Sequence, residues 1–123
     1  MDTSLIERLW QLPNDQYSYQ VLQLLPERLD SEQAIKQIIK ASENSALTSQ
    51  ALVLLAKHYS EHEAAQNYLL AQLIDEQNKW HAASAMTYVN NDQFQQRIFK
   101  LRQDSPSPAI NFASELIMQE SLQ

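Results

Sequence analysis

A residue able to start a helix recurs every fifteen positions: Asp15, Asp30, Ser45, Ser60, Asp75, Asn90 and Ser105. Each has a side-chain oxygen that can accept a hydrogen bond from the N–H groups a helix leaves free in its first turn. The space between two marks fits one short helix and a turn. A chain punctuated in this way reads as a regular array of short helices.

The marks are of two kinds. Asp30, Ser60 and Asn90 are each followed three residues later by Gln33, Glu63 and Gln93, which is capping-box spacing. Leu29, Tyr59 and Val89 precede them, and Ala34, Ala64 and Phe94 follow at the position of a hydrophobic staple. The intervening marks lack these companions, so the true period is thirty residues, a pair of helices.

The apolar positions keep that period. Leu22, Leu52 and Ala82 are equivalent, as are Leu25, Leu55 and Ala85. Past the boxes come Ile38, Tyr68 and Ile98, then Ile39, Leu69 and Phe99. Each half-unit has amphipathic i, i+3, i+4 spacing, and a pair of short helices buries its apolar side only by stacking on neighbours. The pattern predicts eight helices, at about 3–12, 15–28, 31–41, 46–59, 61–74, 79–89, 92–102 and 107–121. Pro26 is expected to kink or end the second, and Ser107 with Pro108 to open the last. Glu115 falls where Leu25, Leu55 and Ala85 were apolar, the atypical terminal unit of a stack. The expectation is one all-α domain over 1–123, an α-solenoid of stacked antiparallel helical hairpins.

Ala51-Leu52-x-x-Leu55, with Val21-Leu22-x-x-Leu25 and Ala82-x-x-Ala85-Met86, resembles the first helix of HEAT-like repeats over about residues 15–103. Asp30 with Lys36 also fits the Asp and basic residue many such units carry; Ser60 with Gln66 does not. Tetratricopeptide repeats fit less well, because their period is 34 and their Trp, Gly and Pro landmarks are missing.

Composition excludes several functions. The chain has no Gly, so it carries no Gly-rich phosphate loop and no nucleophile elbow. It has no Cys, so no disulfide or thiolate chemistry. Met1 to Arg8 lacks a basic segment leading into an apolar core, and the longest apolar run, 51–56, is too short for a bilayer. A cytoplasmic protein without membrane partners is expected. A net charge of −6 repels phosphate backbones and attracts basic proteins.

The candidate catalytic groups have simpler roles. His58 and His62 have metal-sharing spacing, but Ser60 is predicted to break the helix between them. His62-Glu63-Ala-Ala-Gln66 has Gln where a zinc-protease motif needs its second His. Some HEAT-like proteins are di-iron hydroxylases built on recurrent His-Glu pairs. Here His62-Glu63 corresponds to Glu32-Gln33 and Asp92-Gln93 in the neighbouring units, so that implication fails. Others handle alkylated DNA through a basic groove, which nine Lys and Arg against fifteen Asp and Glu do not provide. No catalytic residue, cofactor or metal is expected.

A binding surface is more legible. Lys36-Gln37, Gln66-Asn67 and Gln96-Arg97 are equivalent and should align as a polar stripe across neighbouring helices. Acid lies beside it at Glu32, Glu61, Glu63 and Asp92, with Asp75 and Glu76 at another turn. Acid at helix starts also suits the macrodipole. Trp80 offers an aromatic anchor. The expected partner surface is Glu61, Glu63, Gln66, Asn67, Asp75, Glu76, Trp80, Asp92 and Gln96, facing a basic protein. In size, charge and helical repetition the chain is similar to some bacterial immunity proteins. That likeness implies a non-enzymatic inhibitor of a basic toxin, such as a nuclease, by direct binding. An adaptor or chaperone with a peptide groove, and a small-molecule enzyme or lyase on the same scaffold, stay open, as does a homodimer.

Overall fold

The computed structural model describes residues 3–11 and 16–121, and over them the protein is all-helical. The α-helices are α1 (Thr3–Gln11), α2 (Gln16–Arg28), α3 (Ser31–Ser42), α4 (Thr48–Tyr59), α5 (Glu63–Leu73), α6 (Lys79–Ala85), α7 (Asp92–Asp104) and α8 (Pro108–Ser121). A single 3-10 turn, Met86–Tyr88, extends α6. The predicted spans match within about two residues, apart from the distorted end of α6. Pro26 does not end α2: it lies in the last turn, the helix continues to Arg28, and Leu29 N donates to Leu25 O at 3.1 Å.

The capping marks hold in part. Asp30 caps α3, accepting from Gln33 N at 2.9 Å. Asp75 accepts from Gln77 N at 3.0 Å and Asn78 N at 2.9 Å, closing the turn that leads into α6. At three other marks the capping atom belongs to a neighbouring residue. Asn44, not Ser45, folds the turn before α4 by accepting from Ala46 N at 3.0 Å. Asn91, not Asn90, caps α7 by accepting from Phe94 N at 2.9 Å. Ser107, not Ser105, caps α8 by accepting from Ile110 N at 3.2 Å, with Pro108 as the first helical residue. Asp15 lies outside the described residues.

Ser60 is the clear correction. It is buried at the end of α4, where its hydroxyl donates back to Ala56 O. His62 takes the N-cap position of α5 without a side-chain cap bond, and Glu63 is the first helical residue rather than the third. The reason is burial: a hydroxyl shielded from water must find a partner, and the carbonyl four residues back is within reach. The inward face of α5 is also offset by one position from that of α3 and α7: Leu69 is fully buried, as Ile38 and Ile98 are, while Tyr68 is half-buried.

None of the described residues has positive φ, so every described turn closes with ordinary right-handed or extended backbone. Asn, Asp and Ser side chains tie these turns instead of glycine.

The helices touch in two rows. α1 packs on α3 and α3 on α5; α2 packs on α4, α4 on α6 and α6 on α8. Across the rows α2 packs on α3, α4 on α5, α5 on α6 and α7 on α8, with α3 on α4 the most extensive. The core lies between the rows. Leu22, Leu25, Leu52, Leu55, Ala82 and Ala85 face it from one side, and Ala34, Ile38, Leu69, Phe94 and Ile98 from the other, all fully buried. Ile110, Ala113 and Ile117 of α8 close one end, with Glu115 exposed. Removing this apolar surface from water is the dominant stabilising term.

Candidate functional site

At two of their meetings, α1 with α3 and α5 with α7, the odd-numbered helices hold an offset near thirty residues, whereas α3 meets α5 at twenty-six, through Ser42 Oγ and Tyr68 Oη at 2.5 Å. Gln37 Nε2 donates to Glu7 Oε1 at 3.0 Å across thirty residues. Arg97 Nη2 donates to Asn67 Oδ1 at 2.9 Å across the same thirty, and Arg97 Nη1 to Gln66 Oε1 at 2.9 Å. Further along, Leu70, Ala71 and Ile74 share a groove with Lys100, Leu101 and Asp104. An offset that stays constant along two helices means they run in the same direction. Glu7 with Gln37, and Asn67 with Arg97, are thus two separate polar pairs at the same offset, and the predicted stripe exists between α5 and α7.

The stripe is partly internal. Gln66 is only 7% exposed, because its amide is consumed within the fold. It donates to Ser60 O at 2.7 Å while accepting from Arg97. Gln37 is also buried, donating to Glu7 and accepting from Trp10 Nε1 at 3.4 Å. Gln66 therefore leaves the expected partner surface, for the physical reason that it satisfies a buried carbonyl. Asn67 is exposed but already holds Arg97, and Gln96 is exposed beside it.

Parallel helices put their starts at one end of the row. Glu32, Glu61, Glu63 and Asp92 are all exposed there, around the first turns of α3, α5 and α7. The His62 ring lies beside them, its Nε2 3.9 Å from Glu61 Oε1. Asp75 and Glu76 are at the opposite end of α5, about 16 Å away along eleven residues of helix, so the expected acidic surface divides in two. There Asp75 spends its carboxylate on the turn, and Glu76 pairs with Lys79 at 3.1 Å.

Trp80 lies on α6, half exposed, edge-on to Phe112 of α8 with ring centroids 6.1 Å apart. The sequence reading did not anticipate Phe112. The two are thirty-two residues apart, close to the repeat, which was the available signal.

No described group of three or more His, Asp or Glu side chains is arranged to hold a metal. His58 and His62 sit on different elements, flanking the ring of Tyr59 at 6.2 and 5.7 Å between centroids. Burial raises the Tyr59 phenol above its ordinary value. No helix among the described residues is long and apolar enough to cross a membrane.

In comparisons with known proteins, the chain matches no family model, no curated protein sequence and no solved structure.

Proposed function

We propose that this chain is a short HEAT-like α-solenoid acting as a non-enzymatic protein-binding module. Its most concrete form is an immunity-type protein that neutralises a basic toxin, a nuclease among the candidates, by covering it. The observation that carries the reading is the acidic end of the odd row. Glu32, Glu61, Glu63 and Asp92 are exposed at three adjacent helix starts in a chain of net charge −6. Such a field speeds encounter with a basic partner and penalises acidic ones. The rigid helical pairs beneath it hold the carboxylates in fixed relation.

The test compares the wild-type protein with an E61K/E63K/D92K variant as bait from the native host, with captured proteins quantified by mass spectrometry. Circular dichroism melts confirm that both baits are folded. A basic protein recovered by the wild type and lost from the variant is the expected outcome. Equal recovery by both, or no basic protein at all, overturns the reading.

A further inference from the structure

The α1–α3 and α5–α7 contacts each join side chains thirty residues apart, Glu7 with Gln37 and Asn67 with Arg97, but with two of the groups changed. In the first, Glu7 of α1 accepts from Gln37 at 3.0 Å and from Lys40 at 2.6 Å. The Lys40 ammonium holds the Glu7 carboxyl below its usual range, with the Gln37 hydrogen bond adding to the effect. In the second, the residues sixty positions on are Asn67, Arg97 and Lys100. Asn67 replaces the carboxylate with a neutral amide, Arg97 replaces a neutral amide with a cation, and Lys100 repeats Lys40. One contact balances one cation with one anion; the other has two cations and no anion between them.

Arg97 nevertheless has partners. Two amide oxygens, Gln66 Oε1 and Asn67 Oδ1, each hold its guanidinium at 2.9 Å. Neither carries charge, and neither Arg97 nor Lys100 reaches a carboxylate within 4.0 Å among the described residues. Beside them runs an open groove of about 330 Å³ lined by Leu70, Ala71, Ile74 and Leu101, with Asp104 at its far end. Ile74 is 62% exposed, a large aliphatic side chain left in water.

We propose that this groove docks a short segment of a partner protein in which an aliphatic side chain adjoins a carboxylate. The aliphatic group covers Ile74 and Leu70. The carboxylate enters between Arg97 and Lys100, doing there what Glu7 does in the α1–α3 contact. Two cations without a neutralising carboxylate favour a carboxylate over a neutral amide, because the hydrogen bonds to it are charge-assisted. Asp104 limits the segment to one carboxylate, because a second at that end would meet a like charge. This surface is separate from the acidic end and does not depend on the toxin-inhibitor reading.

The experiment is an NMR titration of the full chain, following the methyl groups of Leu70, Ile74 and Leu101 and the Arg97 side chain. The ligands are an acetylated, amidated Ala-Leu-Asp-Leu-Ala peptide and its Asp-to-Asn counterpart. The acidic peptide should bind at least five-fold more tightly. R97Q/K100Q should erase that preference. Asn67→Asp should do so as well, by supplying the missing carboxylate from within while preserving the melting temperature. Equal binding of the two peptides, or an Asn67→Asp protein that binds the acidic peptide as the wild type does, overturns the proposal. Two further results also overturn it. Octanoate binding as tightly as the peptide would make the occupant a small anionic amphiphile. Groove signals that move with protein concentration alone would make it a second copy of this chain.

Discussion

Replacing Gln66 with Ala tests the claim that the stripe is structural at its centre. Gln66 Nε2 is the side-chain donor to Ser60 O, a carbonyl in the buried turn between α4 and α5. Leaving that acceptor unpaired costs about 1–3 kcal/mol. Losing the buried methylenes of the side chain adds about 1 kcal/mol. The bond to Arg97 adds little, because the guanidinium is exposed and can turn to water. The expected total is about 2–4 kcal/mol. For a domain of this size each kcal/mol lowers the melting temperature by about 3–5 °C. Gln96, the equivalent residue one unit on, is exposed, so Gln96→Ala should cost less than about 0.5 kcal/mol. Urea unfolding followed by circular dichroism, with a shared slope for all variants, gives the difference. Gln66→Ala and Gln96→Ala agreeing within about 0.5 kcal/mol would refute the reasoning, because burial and bonding would then have no energetic consequence.

Neighbouring asparagines separate a cap from its imitator: Asn91→Ala should lose about 0.5–2 kcal/mol, while Asn90→Ala, one residue outside the cap, should be near neutral in the same denaturation assay. Glu7 should titrate below its ordinary 4.5, and Lys40→Met should move it back up, read by carboxyl-carbon NMR. Because the folded state depresses this pKa, the contact stabilises the protein above the unfolded value and fades as pH falls through the folded one. The K40M protein should therefore show a shallower loss of stability on acidification from pH 5 to 3. Trp10 is buried and Trp80 half exposed, so the fluorescence of Trp10→Phe should be readily quenched by acrylamide and that of Trp80→Phe protected.

Most of the helical layout was readable because its signals are local. Apolar spacing placed Leu22, Leu25, Leu52, Leu55, Ala82 and Ala85 in the core, and all six are fully buried. Caps were harder, since Asn90 and Asn91 are equally competent in sequence and only backbone geometry chooses between them. Ser60 shows the stronger limit. Its hydroxyl could cap α5, but tertiary packing buried it and turned it back to Ala56 O. The inward face of α5 is offset as well, so Leu69 and not Tyr68 is fully buried. The polar stripe was visible as a period, yet its division into a buried part at Gln37 and Gln66 and an exposed part at Asn67 depends on which way each side chain points. The groove beside Arg97 gave no sequence motif. It exists because Ile74, just past the end of α5, lies beside Leu101, and only the pairing of α5 with α7 brings them together.

The described turns, made without a single positive φ, bear on the denatured chain as much as on the folded one. Glycine is the residue that widens an unfolded ensemble most, and exchanging one for a side-chain-bearing residue at a compatible site is worth about 0.4–1 kcal/mol. Here no described position needs that latitude, and the sequence contains no glycine. Its disordered ensemble is accordingly narrower than that of an average chain of equal length, and less conformational freedom is surrendered on folding. Part of this protein's stability thus resides in what its unfolded state is denied.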